Sequence, residues 1–356
     1  MQPCPSRRIE FAFLPASRHC ATLRVVKAEI CGKSTIANAA TLGSAVFRLR
    51  NLLLGLFLLC FTPCIGAAPR IGFGIEAITP QSLGVWEGDR PVLVYNHGAI
   101  TNSAAPEAKA HSSYIHPLYG LDGEILTGDF PKDHVYHRGL YWAWPHIKID
   151  GQEVDSWSLR GIRTEFQRWL AKEIWTNKAV VAALNGWFVA DRQVMTEKVR
   201  IEVHPASQES RAIDVELTWS PTDRPITLLG APDKSYGGLT LRFGPRTNTI
   251  ITVPTGRTKE DLVVTQLPWA DFTGDLVKDR LSGAAIFVHP SHPDYPPTWM
   301  TRHYGVLAVG WPGVSPQTLV PGQLVTCRYR VWIHREPPEA AKIQEAYEAY
   351  RAAQDK

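Results

Sequence analysis

The sequence predicts an all-β protein, a large antiparallel sandwich with a single C-terminal helix. Three observations carry that prediction. Apolar residues recur at every second position through much of the chain beyond residue 69, Gly/Pro turns separate those runs, and helical periodicity is confined to the tail.

The runs can be taken in order. Val199, Ile201 and Val203 alternate with Lys198, Arg200 and Glu202, and Ile213, Val215, Leu217 and Trp219 alternate with Asp214, Glu216 and Thr218. Leu239, Leu241 and Phe243 repeat the pattern, as do Val325, Cys327, Tyr329, Val331 and Ile333. A period of two places one set of side chains on a buried face and the other in water. The continuous apolar runs Ala284–Val288 and Val306–Val309 suit strands buried on both faces. Thr164–Trp175 fits helix or strand, and its place between strand-like segments favours a strand. Asp150-Gly151, Ser220-Pro221, Gly237-Gly238, Pro254-Thr255-Gly256 and Pro321-Gly322 supply the turns. In the tail, Pro337-Pro338 opens a helix over 337–356 whose Ile343, Tyr347 and Tyr350 share one face. With no linker or repeat, residues 69–336 read as one β-sandwich domain.

The first 68 residues differ from the rest. They hold eight of the 38 Lys/Arg and two of the 34 Asp/Glu, so beyond them 30 basic residues face 32 acidic ones. That balance excludes a basic nucleic-acid-binding stripe. Arg48 and Arg50, the apolar run Leu52–Phe61 and the small residues Gly66-Ala67-Ala68 have the order of a secretory signal over 46–68. The run falls short of the about 20 residues that span a membrane. Export to the periplasm or the exterior, with cleavage near 66–68, is expected, and 1–45 reads as an over-extended N-terminus. Cys4, Cys20, Cys31, Cys60 and Cys64 all lie in this leader, and the remainder keeps Cys327 alone, which excludes an internal disulfide or a thiolate metal cluster there.

Chemistry-bearing residues concentrate between 111 and 146, where five of the twelve histidines stand: His111, His116, His134, His137 and His146. Histidine titrates near neutrality and ligates metals. His134 and His137 therefore read as an acid–base pair, as metal ligands completed by His116 and Asp133, or as loop anchors bonded to carbonyls. A divalent metal is the one cofactor that this pattern would admit. A second polar segment holds His289, His292, Trp299, Arg302, His303 and Tyr304, and its prolines mark it as an extended loop. Trp142, Trp144, Trp157, Trp187, Trp269 and Trp299 sit beside polar or turn residues. Their flat rings suit stacking on a sugar, although core packing competes at each one. Lys234, Tyr236 and Arg242 flank the Gly237-Gly238 turn as further contacts. No serine nucleophile elbow and no His-Glu-x-x-His motif occurs, and no carboxylate pair stands out as glycosidase-like.

Four segments carry a family likeness: Tyr114-Ile115-His116-Pro117-Leu118-Tyr119, Asp133-His134-Val135-Tyr136-His137-Arg138-Gly139, Tyr236-Gly237-Gly238-Leu239, and Pro297-Thr298-Trp299 with Arg302-His303-Tyr304-Gly305. Over residues 90–335 the chain resembles the PmoA-like family of unknown function, misnamed "methane oxygenase PmoA". Tyr136 stands where that family usually has the middle histidine of Asp-His-x-His-His, and His292 where it often has Asn. The membrane monooxygenase activity in that label is rejected, because no multi-helix span is present. The resemblance implies instead a supersandwich related to galactose-mutarotase-like enzymes and a carbohydrate context.

Together these residues lead to an exported protein that binds, and as an epimerase, lyase or hydrolase transforms, a small sugar or oligosaccharide in a cleft lined by both His-rich segments. His116, His134, His137 and Arg138 are the candidate catalytic groups. Tyr119, Trp144, Lys234, Tyr236, Arg242, His289, Trp299, Arg302 and Tyr304 are the candidate contacts, with Arg138 and Arg302 on oxyanions or hydroxyls and Trp144 and Trp299 stacked on the ring. A non-catalytic sugar-binding or surface-assembly module is the alternative, and a metal-dependent oxygenase or hydrolase the third.

Overall fold

Alternating burial is plainest in the strand Ser210–Pro221, where every second residue from Arg211 to Pro221 is buried. Its inward residues pair with those of neighbouring strands: Val199 opposes Leu217, and Leu217 opposes Cys327. Such cross-strand apolar pairs, repeated along both sheets, are what hold a sandwich together.

The protein is described as a computed structural model covering residues 71–103, 109–277, 280–335 and 339–354. The expected N-terminal extension, the signal, its cleavage site and the Pro337-Pro338 helix start lie outside the described residues. All described residues belong to one compact unit, Gly66–Lys356.

Among the described residues, two antiparallel sheets of nine strands each form the frame. The first runs, in spatial order, Phe73–Thr79, Ser82–Glu87, Arg90–Asn96, Tyr114–Leu118, Leu140–Ala143, Gly238–Arg242, Val306–Gly310, Thr298–Arg302, Thr265–Gln266. The second runs Gly256–Thr258, Thr247–Val253, Trp269–Val277, Arg280–Val288, Val325–Arg335, Ser210–Pro221, Arg192–Val203, Lys178–Val189, Arg163–Trp175. A four-stranded sheet, Gln317–Leu319, Ile226–Leu229, His146–Ile149 and Gln152–Val154, completes it. The ambiguous 164–175 segment is thus an edge strand.

One large apolar cluster fills the space between the sheets, from Leu83 and Val85 on one side to Val199, Ile201 and Val203 on the other. The helix Ala340–Gln354 covers the outer face of the second sheet, where Ile343, Tyr347 and Tyr350 pack on Trp269, Ala285 and Phe287. Among the described residues no helix is long and apolar enough to cross a membrane. One expectation changes: Thr298–Arg302 is a strand within the first sheet, not part of an extended loop. The prolines of that segment, Pro290, Pro293, Pro296 and Pro297, all precede it, so its ladder hydrogen bonds are intact.

Candidate functional site

Register sorts the first sheet into two faces. Tyr141 opposes Thr240, Thr240 opposes Ala308, and Ala308 opposes Met300, so these four form one row. Arg242, Val306 and Arg302 form the next row on the same face. Residues of the other parity, Trp142, Leu239, Val309 and Trp299, belong to the core. The outer face therefore carries polar groups in the middle of a sheet, and the loop 128–139 folds over it.

Arg138 holds that loop. It is fully buried, donates from Nη1 to the carbonyls of Val135 at 2.9 Å and His137 at 2.7 Å, and from Nη2 to that of Lys109. Its guanidinium also lies 3.6 Å from the Phe130 ring centre. Gly139 lets the loop return to the sheet: a Cβ there would stand 2.2 Å from the Ile115 carbonyl oxygen.

Over this base the rings assemble. His134 stacks between His137, with centroids 4.6 Å apart, and Tyr304, 5.6 Å away. Tyr136 meets both histidines edge-on, at 5.9 and 5.2 Å. Trp157 packs against His137 at 5.4 Å and Tyr236 at 4.5 Å. Asp133 ties the stack to the sheet. Both of its oxygens accept from Arg242 Nη2, at 2.9 and 2.8 Å, and Oδ2 lies 3.0 Å from His134 Nδ1. Tyr304 also caps Arg242, whose guanidinium carbon is 4.9 Å from the ring centre.

The electrostatics divide the titratable groups. For Asp133, burial acts upward, but the hydrogen bonds from His134 and Arg242 outweigh it and hold the carboxyl at about 2. His137 falls to about 3, through burial first and then the nearby His134 and Arg242 charges. His116, bonded through Nδ1 to Thr127 Oγ1 at 2.9 Å, falls to about 4 through burial and Arg138. Asp129 moves the other way, to about 6, because burial outweighs Arg138 and the Tyr114 hydroxyl that donates to it at 3.0 Å.

Two clefts meet at His116 and Asp129. One, of 780 Å³, runs from there past Phe130, Asp133 and Arg242 to Arg246. The other, of 470 Å³, runs past Tyr114 toward Asn96 and Gln81.

Of the expected site residues, the structure brings together His134, His137, Tyr236, Arg242, Tyr304 and Asp133, with Arg138 beneath them and His116 at the junction of the clefts. Others are placed elsewhere. Trp144 is a core residue, fully buried among Trp187, Trp219 and Trp311, with its indole N–H donating to the Trp311 carbonyl at 2.5 Å. Trp299 is likewise fully buried and donates to the Leu267 carbonyl at 2.8 Å. Neither presents a ring face to a ligand. Arg138 gives both Nη groups to backbone carbonyls and turns Nε toward Asp129, 3.7 Å away, so this fully buried side chain supports the site. His289 packs against Tyr350 of the C-terminal helix, and His292 against Tyr329 of the second sheet. Only the Arg302–Gly305 end of the second His-rich segment reaches the first. Arg302 shares the cleft face but points a nitrogen to Asp261, 3.9 Å away. Lys234 is exposed on the turn before Tyr236, and Tyr119 is tied by its backbone to Val92 and Ile125, outside the ring stack.

The metal set does not assemble. Nδ1 of His116 is engaged by Thr127 and Nδ1 of His134 by Asp133, and among the described residues no three His, Cys, Asp or Glu stand where they could hold an ion. Asp129, Tyr136, Tyr141 and Arg246 join the site without having been singled out as contacts, and Trp157, one of the rings considered for stacking, packs beside His137 and Tyr236. For Tyr141 no local signal existed, because Leu140-Tyr141-Trp142-Ala143 is buried throughout.

Fold and site together define an antiparallel β-sandwich with a charged cleft that reaches Asp133 and Arg242, beside a stack of histidine and tyrosine rings on the outer face of one sheet. The chain belongs to the family of unknown function DUF6807, which matches residues 83–348. That match carries the DUF6807 description and not the PmoA-like label. No curated protein matches the sequence. Similar solved structures include the heparan sulfate lyase HepC from Pedobacter heparinus, with 8% identity, a TM-score of 0.37, and coverage of 76% of this chain and 37% of that one. Another is a GalM/aldose epimerase homologue from C. elegans, with 10% identity, a TM-score of 0.33, and coverage of 76% and 100%. A third is a galactose mutarotase related enzyme from Lactobacillus acidophilus, with 7% identity, a TM-score of 0.32, and coverage of 74% and 97%.

Proposed function

We propose that this protein, exported through the segment 46–68, binds a carbohydrate on the outer face of its first sheet and transforms it by acid–base chemistry, with His134 as the base. One observation carries the reading: Asp133 lies between Arg242 and His134. A carboxylate held at about 2 is an acceptor only, so the His134 Nδ1 facing it must donate. In the neutral imidazole a proton on Nδ1 leaves the lone pair on Nε2, which is the form in which His134 would act as the base. The stacked rings of His137 and Tyr304 lock the imidazole plane.

Asp129 supplies the complementary group, a carboxyl that keeps its proton up to about 6 and so can donate close to neutral pH. Tyr136, Tyr236 and Tyr304 offer flat faces beside these polar groups, as sugar recognition needs. Epimerisation, elimination and hydrolysis of a modified sugar all use such a pair. Tyr304, 42% exposed, also favours a second reading, a sugar-binding module without turnover.

The test is to incubate the protein with a panel of mono- and oligosaccharides in D2O and follow them by proton NMR. A substrate should change or exchange a ring proton, and His134→Gln should slow this about 100-fold or more. Binding without change would leave the second reading. No binding by any sugar, or full activity in His134→Gln, would refute the proposal.

A further inference from the structure

Arg242 and Arg246 share one region of the 780 Å³ cleft, and a single carboxylate serves them. Asp133 pairs with Arg242 through Nη2 alone. Arg242 is 6% exposed, yet its Nε and Nη1 have no acceptor. Arg246 spends Nη1 on the Gly244 carbonyl and Nη2 on that of His303, both at 2.8 Å, and its Nε has no acceptor either. Buried donors without partners are uncommon and call for an explanation.

Arg246 is held in a fitted place. Its guanidinium lies 4.7 Å from the Phe272 ring centre and against Gly305, where a Cβ would come within 2.5 Å of Nη1. Gly305 also has φ +115°, so both space and backbone demand glycine. Burial and then Arg242 bring Arg246 down to about 10, while the opposing pull of Asp133 is weaker than either. Lys132 adds a cation to the lining. The carboxylates of the same lining are engaged: Asp129 with Tyr114 and Arg138, and Glu124 with the Asp122 amide. Two guanidinium groups stand around one carboxylate with Nε and Nη1 of Arg242 and Nε of Arg246 left over, donors of the kind that bind oxyanions.

We infer that this cleft binds an anionic group, so that the ligand is an acidic carbohydrate bearing a carboxylate or a sulfate ester. The sugar part rests on the function proposed above, and the charge part on Arg242 and Arg246 alone.

Calorimetric titration separates the two. The probes are glucose, galactose and mannose, their uronic acids, their 6-sulfates, and inorganic sulfate, at low and high salt. For at least one sugar, the acidic form should bind about tenfold or more tighter than its neutral parent, with the gap closing as salt screens it. Arg246→Gln should erase the gap and Arg246→Lys retain part of it, with thermal melts reporting whether each variant is folded. If Arg246→Gln fails to fold, the salt dependence of the wild type and Arg246→Lys decide. A preference for uronic acid or for sulfate identifies the anion. Neutral and acidic sugars bound equally would overturn the inference and spare the carbohydrate reading. Inorganic sulfate bound through Arg246 with no sugar bound would uphold the anion site and remove the carbohydrate. No ligand bound at all would overturn both.

Discussion

The indole N–H of Trp142 donates to the buried carboxylate of Glu197 at 2.8 Å, joining the first sheet to the second. The same oxygen accepts from Trp187 at 2.9 Å and Trp219 at 3.1 Å, and the other from Ser113 at 2.6 Å and Asn185 at 2.9 Å. Five neutral donors thus surround a side chain only 1% exposed. Because Trp142 is fixed from behind, its neighbours Tyr141 and Ala143 turn to the opposite face, where they are buried with Tyr114 and Trp157 beneath Tyr136 and Tyr236.

Replacing Glu197 with Gln turns one acceptor oxygen into a donor that faces donors. The loss should be on the order of 3 kcal/mol, since each buried donor left unmatched costs about 1–3 kcal/mol. A fall in the urea midpoint at unchanged slope checks it.

Asp133→Asn keeps the shape of the bridge but removes the charge that fixes His134 and pairs with Arg242. Asp133 has 48% of its side chain exposed, so stability should change little while sugar turnover falls about 100-fold. A parallel loss of melting temperature and turnover would instead mark a structural role.

Tyr304→Ala and Trp144→Ala should separate binding from packing. Tyr304 is exposed, and its loss should raise the sugar Kd with little change in stability. Trp144 is fully buried, and its loss should cost about 3–5 kcal/mol. Equal destabilisation by both would contradict the assignment of Tyr304 to the ligand surface.

Five histidines act on the pH dependence in one sense, and His97 is the one lowered by burial and Lys172 without reaching the values of the other four. Burial is the first cause of lowered values in His111, His137 and His292, all to about 3, and in His116, to about 4, from an ordinary 6.5. The unfolded chain therefore binds their protons first. The stability they contribute is present above pH 6.5 and is lost as pH falls through about 4 to 3. Asp129 acts in the opposite sense: raised from 3.8 to about 6, it favours the fold below pH 3.8 and loses that contribution as pH rises through 6. The histidines outnumber it, so the melting temperature should fall on acidification from pH 6.5, and His292→Gln should flatten that slope. A melting temperature unchanged between pH 7 and 5 would contradict this.

The sandwich was legible because its long strands bury one face. Val199, Leu217 and Cys327 announce that face in each strand separately, and the structure pairs them. Leu140-Tyr141-Trp142-Ala143 is apolar on both faces, and the choice of Trp142 as the inward side depends on Glu197, 55 residues away in sequence. Trp144 and Trp299 have polar neighbours along the chain but apolar ones in space, which is why they read as surface rings. Asp133, His134 and His137 were visible as a motif. Arg246 was not, because its place is made by Gly305 and Phe272, contacts no local pattern records.

The most direct test of the proposed site is a crystal structure with the tightest-binding sugar from the panel. A ring stacked on Tyr304 or Tyr136, with a hydroxyl or ring proton within about 3 Å of His134 Nε2, is the expected result. A sugar bound away from this face, for example in the separate 270 Å³ cavity lined by His111, Trp187 and Ile162, would contradict it.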